Sequence, residues 1–216
     1  LQDLTKEEFD NSDPKPLTLE EGLALRPESR TARWQPGLHA SYSNSGYGLD
    51  NRCLLDALAQ GEGRFKGIAV VRNDIVRDEL QRLREAGVIG VAFNATLLGV
   101  DHYAHTEPLL RHLADLGMLL SLQVEHDQLL GLRSLIEGSG VRLMIDHCGR
   151  PAAGAGIDQP GFQALLALAR NGRTAVKLSG FQKFSALPPP HEDTRVFLDA
   201  LIDAFTLDAC LWASDW

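Results

Sequence analysis

The chain has 216 residues, 44% of them hydrophobic and 23% charged, with a formal net charge of −8. That length and composition suit one globular domain with a sizeable core, and the acidic balance offers no electrostatic footprint for nucleic acid or an anionic membrane. No apolar run reaches the roughly 20 residues that span a bilayer, and Leu1-Gln-Asp-Leu-Thr-Lys-Glu-Glu is not a signal peptide.

Residues 1–16 are polar and aperiodic and are expected to form an arm or loop on a single domain covering 1–216. Thr18 followed by Glu21 is a capping box and predicts a short helix to Leu25. Residues 30–35 are a weak strand candidate, and a loop rich in Gly, Ser, Tyr and Asn runs from Pro36 to Asp50. A helix is predicted over 51–60. Strands then alternate with helices to the end of the chain. Strands are expected at 65–71, 88–93, 119–124, 142–145, 175–178 and 210–213, and helices at 74–86, 107–116, 127–137, 161–169 and 192–205. The strands read as nearly continuous apolar runs, as expected when both faces are covered.

Most of these runs stop on polar residues: Asn94, Gln123 with Glu125, Asp146-His147, Lys177 with Ser179, and Ser214-Asp215. Polar residues at the carboxyl ends of strands in a β-then-α series are how a (β/α)8 barrel builds an active site. Seven strands are counted here, whereas a closed barrel needs eight and usually about 250 residues. The expected fold is therefore an α/β (β/α)8 TIM barrel, incomplete, with its first strand and last helix missing from this chain. Two sheet edges would then be unpaired, near Arg33 and beside residues 210–213. Cys53, Cys148 and Cys210 have no metal-binding spacing and read as reduced thiols in a cytoplasmic protein.

Asp146-His147-Cys148-Gly149-Arg150-Pro151, Val176-Lys177-Leu178-Ser179-Gly180 and Trp212-Ala213-Ser214-Asp215-Trp216 together resemble the amidohydrolase-2 group. Within it the chain is similar to the 2-pyrone-4,6-dicarboxylate lactonases and sugar-lactone hydrolases. Tyr47-Gly-Leu-Asp-Asn51, Gly67-Ile-Ala-Val-Val71, Gly87-Val-Ile-Gly-Val-Ala-Phe-Asn94 and Asp158-Gln-Pro-Gly-Phe162 follow in the family's order. The resemblance implies hydrolysis of a lactone or related small carboxylic acid derivative. It implies that Asp215 is the general base for water, His147 polarises the carbonyl and Arg150 holds a substrate carboxylate. Metal-using relatives hold a divalent ion such as zinc. The His-x-His that ends the family's first strand occurs nowhere here, Ala92 stands where dicarboxylate lactonases carry arginine, and Gln123 where many members carry histidine. The cofactor and the metal ligands are left open.

Each site residue also has a plainer reading. Asp215 could be structural, although a carboxylate is rarely buried without a partner. His147 could be a core histidine bonded to a backbone carbonyl. Asp146 is expected to be structural, alternating away from the barrel centre. Arg150 has a planar fork suited to a carboxylate or to a loop salt bridge. Lys177 and Ser179 share strand parity, and an interior Lys177 requires an anionic partner, Asp215 or the substrate. Gln123 and Asn94 could donate to a substrate oxygen or tie down loops. His102 and His105 read as a solvated loop, and Tyr42 and Tyr47 as a lid or a mobile surface loop. The leading function is a lactonase-like hydrolase with a small-molecule substrate and no nucleic-acid or membrane partner; homo-oligomerisation is left open. A metal-dependent decarboxylase, a metal-free sugar-lactone isomerase and a non-catalytic ligand-binding barrel are the alternatives.

Overall fold

The computed structural model describes residues 48–213. The helix expected from Thr18, the strand near Arg33, the loop tyrosines Tyr42 and Tyr47, and Asp215 lie outside the described residues. Within them the order is α1 (Arg52–Gln60), β1 (Gly67–Ala69), α2 (Arg77–Glu85), β2 (Val88–Asn94), α3 (Ala95–Leu98), α4 (Glu107–Asp115) and β3 (Leu119–Gln123). There follow α5 (Gln128–Ser139), β4 (Arg142–Ile145), α6 (Pro160–Leu168), β5 (Thr174–Leu178), α7 (Arg195–Phe205) and β6 (Cys210–Trp212). The alternation matches the sequence expectation, apart from the short α3 and from residues 192–194, which form a 3-10 turn ahead of α7.

The six described strands form one sheet in chain order, and every neighbouring pair is parallel. Parallel neighbours need a crossover between them, and the helices supply it. Register partners share a face. One face presents Val91, Phe93, Leu120, Leu122, Leu143, Ile145 and Val176 to a core built with the helices. The helices contribute apolar residues at helical spacing: Leu129, Leu132 and Ile136 on α5, and Phe197, Leu201 and Phe205 on α7. The other face carries a second apolar cluster of Ile68, Ala92, Leu119 and Met144, with Leu211 packed against it. Burial on both sides is why the strands lack a polar alternation.

The backbone just past the end of β1 is met by a side chain. The Asn51 Nδ2 donates to the Val70 carbonyl at 2.7 Å, and the Val70 N–H donates to Asn51 Oδ1 at 3.1 Å. One amide thus satisfies both backbone groups where the strand ends, as a neighbouring strand would.

Candidate active site

The site is built where β4 ends. Asp146 continues the extended backbone (φ −80°, ψ 147°). The chain then enters the left-handed region at four consecutive residues: His147 (φ 52°), Cys148 (φ 57°), Gly149 (φ 72°) and Arg150 (φ 43°). Each non-glycine residue there costs roughly 1–2 kcal/mol, so the turn persists only because its surroundings over-determine it. The Gly149 N–H donates to the Asp146 carbonyl and the Arg150 N–H to the His147 carbonyl, both at 2.9 Å. The buried Cys148 Sγ lies 3.7 Å from the Lys177 carbonyl and 3.9 Å from that of Ser179, both of which accept from it. Burial pushes that thiol up to about 12.

Asp146 precedes the turn and keeps the strand's alternation, which overturns the expectation that it points away from the interior. Asp146 follows Ile145, which faces the helices, so the next extended residue faces the opposite way, toward the second cluster. There Lys177 Nζ lies 2.8 Å from Asp146 Oδ1, and the Ser121 hydroxyl donates to the same carboxylate at 3.2 and 3.3 Å. All three residues are buried. Lys177 has the anionic partner its position demanded, and that partner includes Asp146.

His147 turns instead toward β5. Its Nδ1 lies 3.1 Å from Ser179 Oγ, both side chains buried. Gly180 follows with φ +65°, and a Cβ added there would lie 2.7 Å from His147 Nδ1. The Ser-Gly pair therefore serves the imidazole twice, with a hydrogen bond and with space.

Arg150 leaves the turn toward the loop after β3. Its Nη2 lies 3.0 Å from Glu125 Oε2, and the His126 N–H donates to the Arg150 carbonyl at 3.0 Å. The loop salt bridge weighed for this arginine is thus present. The Arg150 Nε is buried and has no hydrogen-bond partner among the described residues. Glu125, His126, Arg150, Ala152, Lys183 and Phe184 contribute to the lining of a cleft of about 310 Å³. His147, Lys177 and Ser179 are not in its lining; Arg150, at the end of the left-handed turn, is.

The walls of that cleft are pinned by side chains that sequence reasoning did not single out. Gln159 Nε2 donates to the Ala152 and Gly156 carbonyls at 3.0 and 2.6 Å, while its Oε1 accepts from the Ala152 N–H at 2.8 Å. Opposite, Asp193 accepts from the Ser185 hydroxyl at 2.5 Å and the Ala186 N–H at 2.7 Å. The Ser185 bond holds that carboxyl below the usual carboxylate range. Gly161 starts α6 against the loop after β3: its N–H donates to Asp127 Oδ1 at 2.7 Å, and a Cβ would fall 2.0 Å from the His126 carbonyl. The Gln-Pro-Gly stretch at 159–161 was visible in the sequence, but its partners were not.

Of the other candidates, Asn94 caps α3, its Oδ1 accepting from the Leu97 N–H at 3.1 Å and the Thr96 hydroxyl at 2.7 Å. That is the loop-tying arrangement weighed for it. Gln123 lies beside Asn94 in register at the end of β3, half-buried. His102 and His105 are exposed on the loop after α3. Among the described residues no three His, Cys, Asp or Glu side chains gather as a metal site would require.

The family model described as amidohydrolase matches residues 11–216. A 4-sulfomuconolactone hydrolase of Rhizobium radiobacter is 31% identical over 176 residues, which cover 79% of this chain and 58% of that protein. A candidate 2-pyrone-4,6-dicarboxylic acid hydrolase from Pseudomonas putida superposes with a TM-score of 0.68 at 31% identity, covering 79% of this chain and 63% of its own. An Acinetobacter baumannii candidate for the same activity, solved with citric acid bound, also has a TM-score of 0.68, at 28% identity, covering 80% of this chain and 66% of its own. The chain spans less than two-thirds of the length of each. With the family model matched along almost its whole length, the chain belongs to the amidohydrolase family.

Proposed function

We propose that the described strands are six consecutive strands of a (β/α)8 barrel, and that the protein hydrolyses a small lactone carrying an acidic substituent. The observation that carries this reading is the left-handed turn at residues 147–150, which spends backbone strain to set His147 and Arg150 at the carboxyl end of β4. A barrel collects its catalytic groups at that end of its strands. The similar proteins named above are described by lactones that bear a sulfonate or carboxylates, which suits a site whose cleft contains Arg150 and Lys183.

In this reading Asp215 takes a proton from water as the water oxygen bonds to the lactone carbonyl carbon. His147, held at Nδ1 by Ser179, polarises the carbonyl oxygen. The ring C–O bond then breaks and its oxygen is protonated, leaving the open-chain acid. Arg150, oriented by Glu125, directs donors at the acidic substituent, and Gln123 and Tyr47 complete the substrate's polar surroundings.

Kinetics of the full chain on a panel of lactones with and without a carboxylate test the assignment. Asp215→Asn is expected to lower turnover by about 10²- to 10⁴-fold, the usual worth of a general base. His147→Ala is expected to cost roughly 10²- to 10³-fold. Arg150→Ala is expected to raise KM for carboxylated lactones alone. Near wild-type turnover by Asp215→Asn would remove the mechanism. Citrate, a non-reacting polycarboxylate, serves as an independent probe of acid binding.

A further inference from the structure

The face of the sheet opposite the helices is apolar: Ile68, Ala92, Leu119 and Met144 cluster there, with Leu211 beside them. Into it three adjacent strands place a buried polar line. Ser121 on β3 donates to Asp146 at the end of β4, and Asp146 pairs at 2.8 Å with Lys177 on β5. Ser121 has no exposure, and the side chains of Lys177 and Asp146 retain 10% and 7%. Stability does not explain such a line, because a buried ion pair roughly breaks even against apolar residues of similar size. The line does fix a cation in low-dielectric surroundings at the strand ends, where a charge acts most strongly on a reacting group. Lys177 is also tied to His147: its carbonyl accepts from Cys148 within the turn, and Ser179, two residues on, bonds the imidazole.

Resting on the function proposed above, we infer that Lys177 is a catalytic cation that meets the negative charge of the substrate, and that Asp146 and Ser121 are the positioning residues that hold it. The long, flexible lysine stem would otherwise sample many rotamers. Asp146 fixes its tip, and Ser121 fixes the carboxylate that does so.

The test compares Asp146→Asn, Lys177→Met and the double variant in the full chain. The double variant removes both charges of the pair together, which disturbs the buried surroundings less than removing one. It is expected to keep its melting temperature within a few degrees, to lose about 10²- to 10³-fold in kcat/KM, and to bind citrate at least 10-fold more weakly by calorimetry. Asp146→Asn alone is expected to lower kcat more than it raises KM. Added to Lys177→Met it should cost nothing further, because a positioning residue has no effect once its client is gone. Ser121→Ala is expected to act in the same direction with a smaller loss. A folded double variant with wild-type turnover and wild-type citrate affinity would overturn the inference and leave the pair purely structural. If the wild-type chain hydrolyses no lactone, the functional reading falls and the citrate comparison decides the inference alone. Absence of citrate binding by the wild type would then overturn it as well.

Discussion

A methyl group at Gly180 would press on the imidazole that Ser179 holds. The position combines φ +65° with a Cβ contact of 2.7 Å to His147 Nδ1, and neither can relax without moving the other. Gly180→Ala is therefore expected to destabilise the fold by about 1–3 kcal/mol, from the left-handed backbone and the contact together, and to cut hydrolysis by at least about 10-fold. Thermal denaturation with lactone kinetics reads both effects; unchanged turnover would mean that the imidazole is not at work. The cysteines differ as sharply. Cys53 is exposed and Cys148 buried, so a thiol reagent at neutral pH should modify Cys53 in the native chain and spare Cys148 until it unfolds. Asp146 shows where residue-level reading stops. Its type was visible, but its direction follows from carrying the alternation of β4 one residue past Ile145, and its partners come from the two neighbouring strands.

At the scale of elements, side-chain amides take over work that backbone does elsewhere. Asn51 closes the end of β1 and Gln159 ties the loop at residues 152–156 that walls the cleft. Gln159→Ala strips partners from both the N–H and the carbonyl of Ala152, and a loss of about 1–3 kcal/mol is expected. Because the loop lines the cleft beside Arg150, KM for carboxylated lactones should rise while kcat changes little. Urea denaturation and kinetics would check the pair of effects, and equal losses in kcat and KM would refute the assignment of this loop to binding. The strand and helix order was legible at this scale, because apolar runs of strand length and helical spacing alternate without interruption. The short α3 was not, because Ala95–Leu98 continues the apolar character of β2 and the switch is made by the Asn94 cap.

For the whole molecule, the buried thiols set a limit at alkaline pH. Burial pushes Cys148 up to about 12 and Cys210 up to about 11 from an ordinary 9. The unfolded chain loses these protons first, so the native state's advantage is complete below about pH 9 and is lost as pH rises toward 11 and 12. At about 1.4 kcal/mol per pH unit for the deeply buried Cys148, the fall amounts to a few kcal/mol, to which the less deeply set Cys210 adds less. Urea denaturation between pH 8 and pH 10.5 should show stability declining with pH, and Cys148→Ala should make the slope shallower. A slope identical in the variant would show that Cys148 ionises as freely in the fold as outside it.

The parallel α/β architecture was settled by the chain's own pattern: strands apolar on both faces, helices with one apolar stripe, and polar residues where the strands stop. Such patterns are local, and hydrophobic burial reads them in only one way. The candidate site was legible as a set of residue types, including His147, Arg150, Lys177 and Ser179. Which of them touch was decided by tertiary structure. The pairing of Asp146 with Lys177 and Ser121 depends on strand register, and the tie between Arg150 and Glu125 and the space kept by Gly180 on left-handed backbone. Both are set by contacts between segments far apart in the chain, which no local pattern encodes.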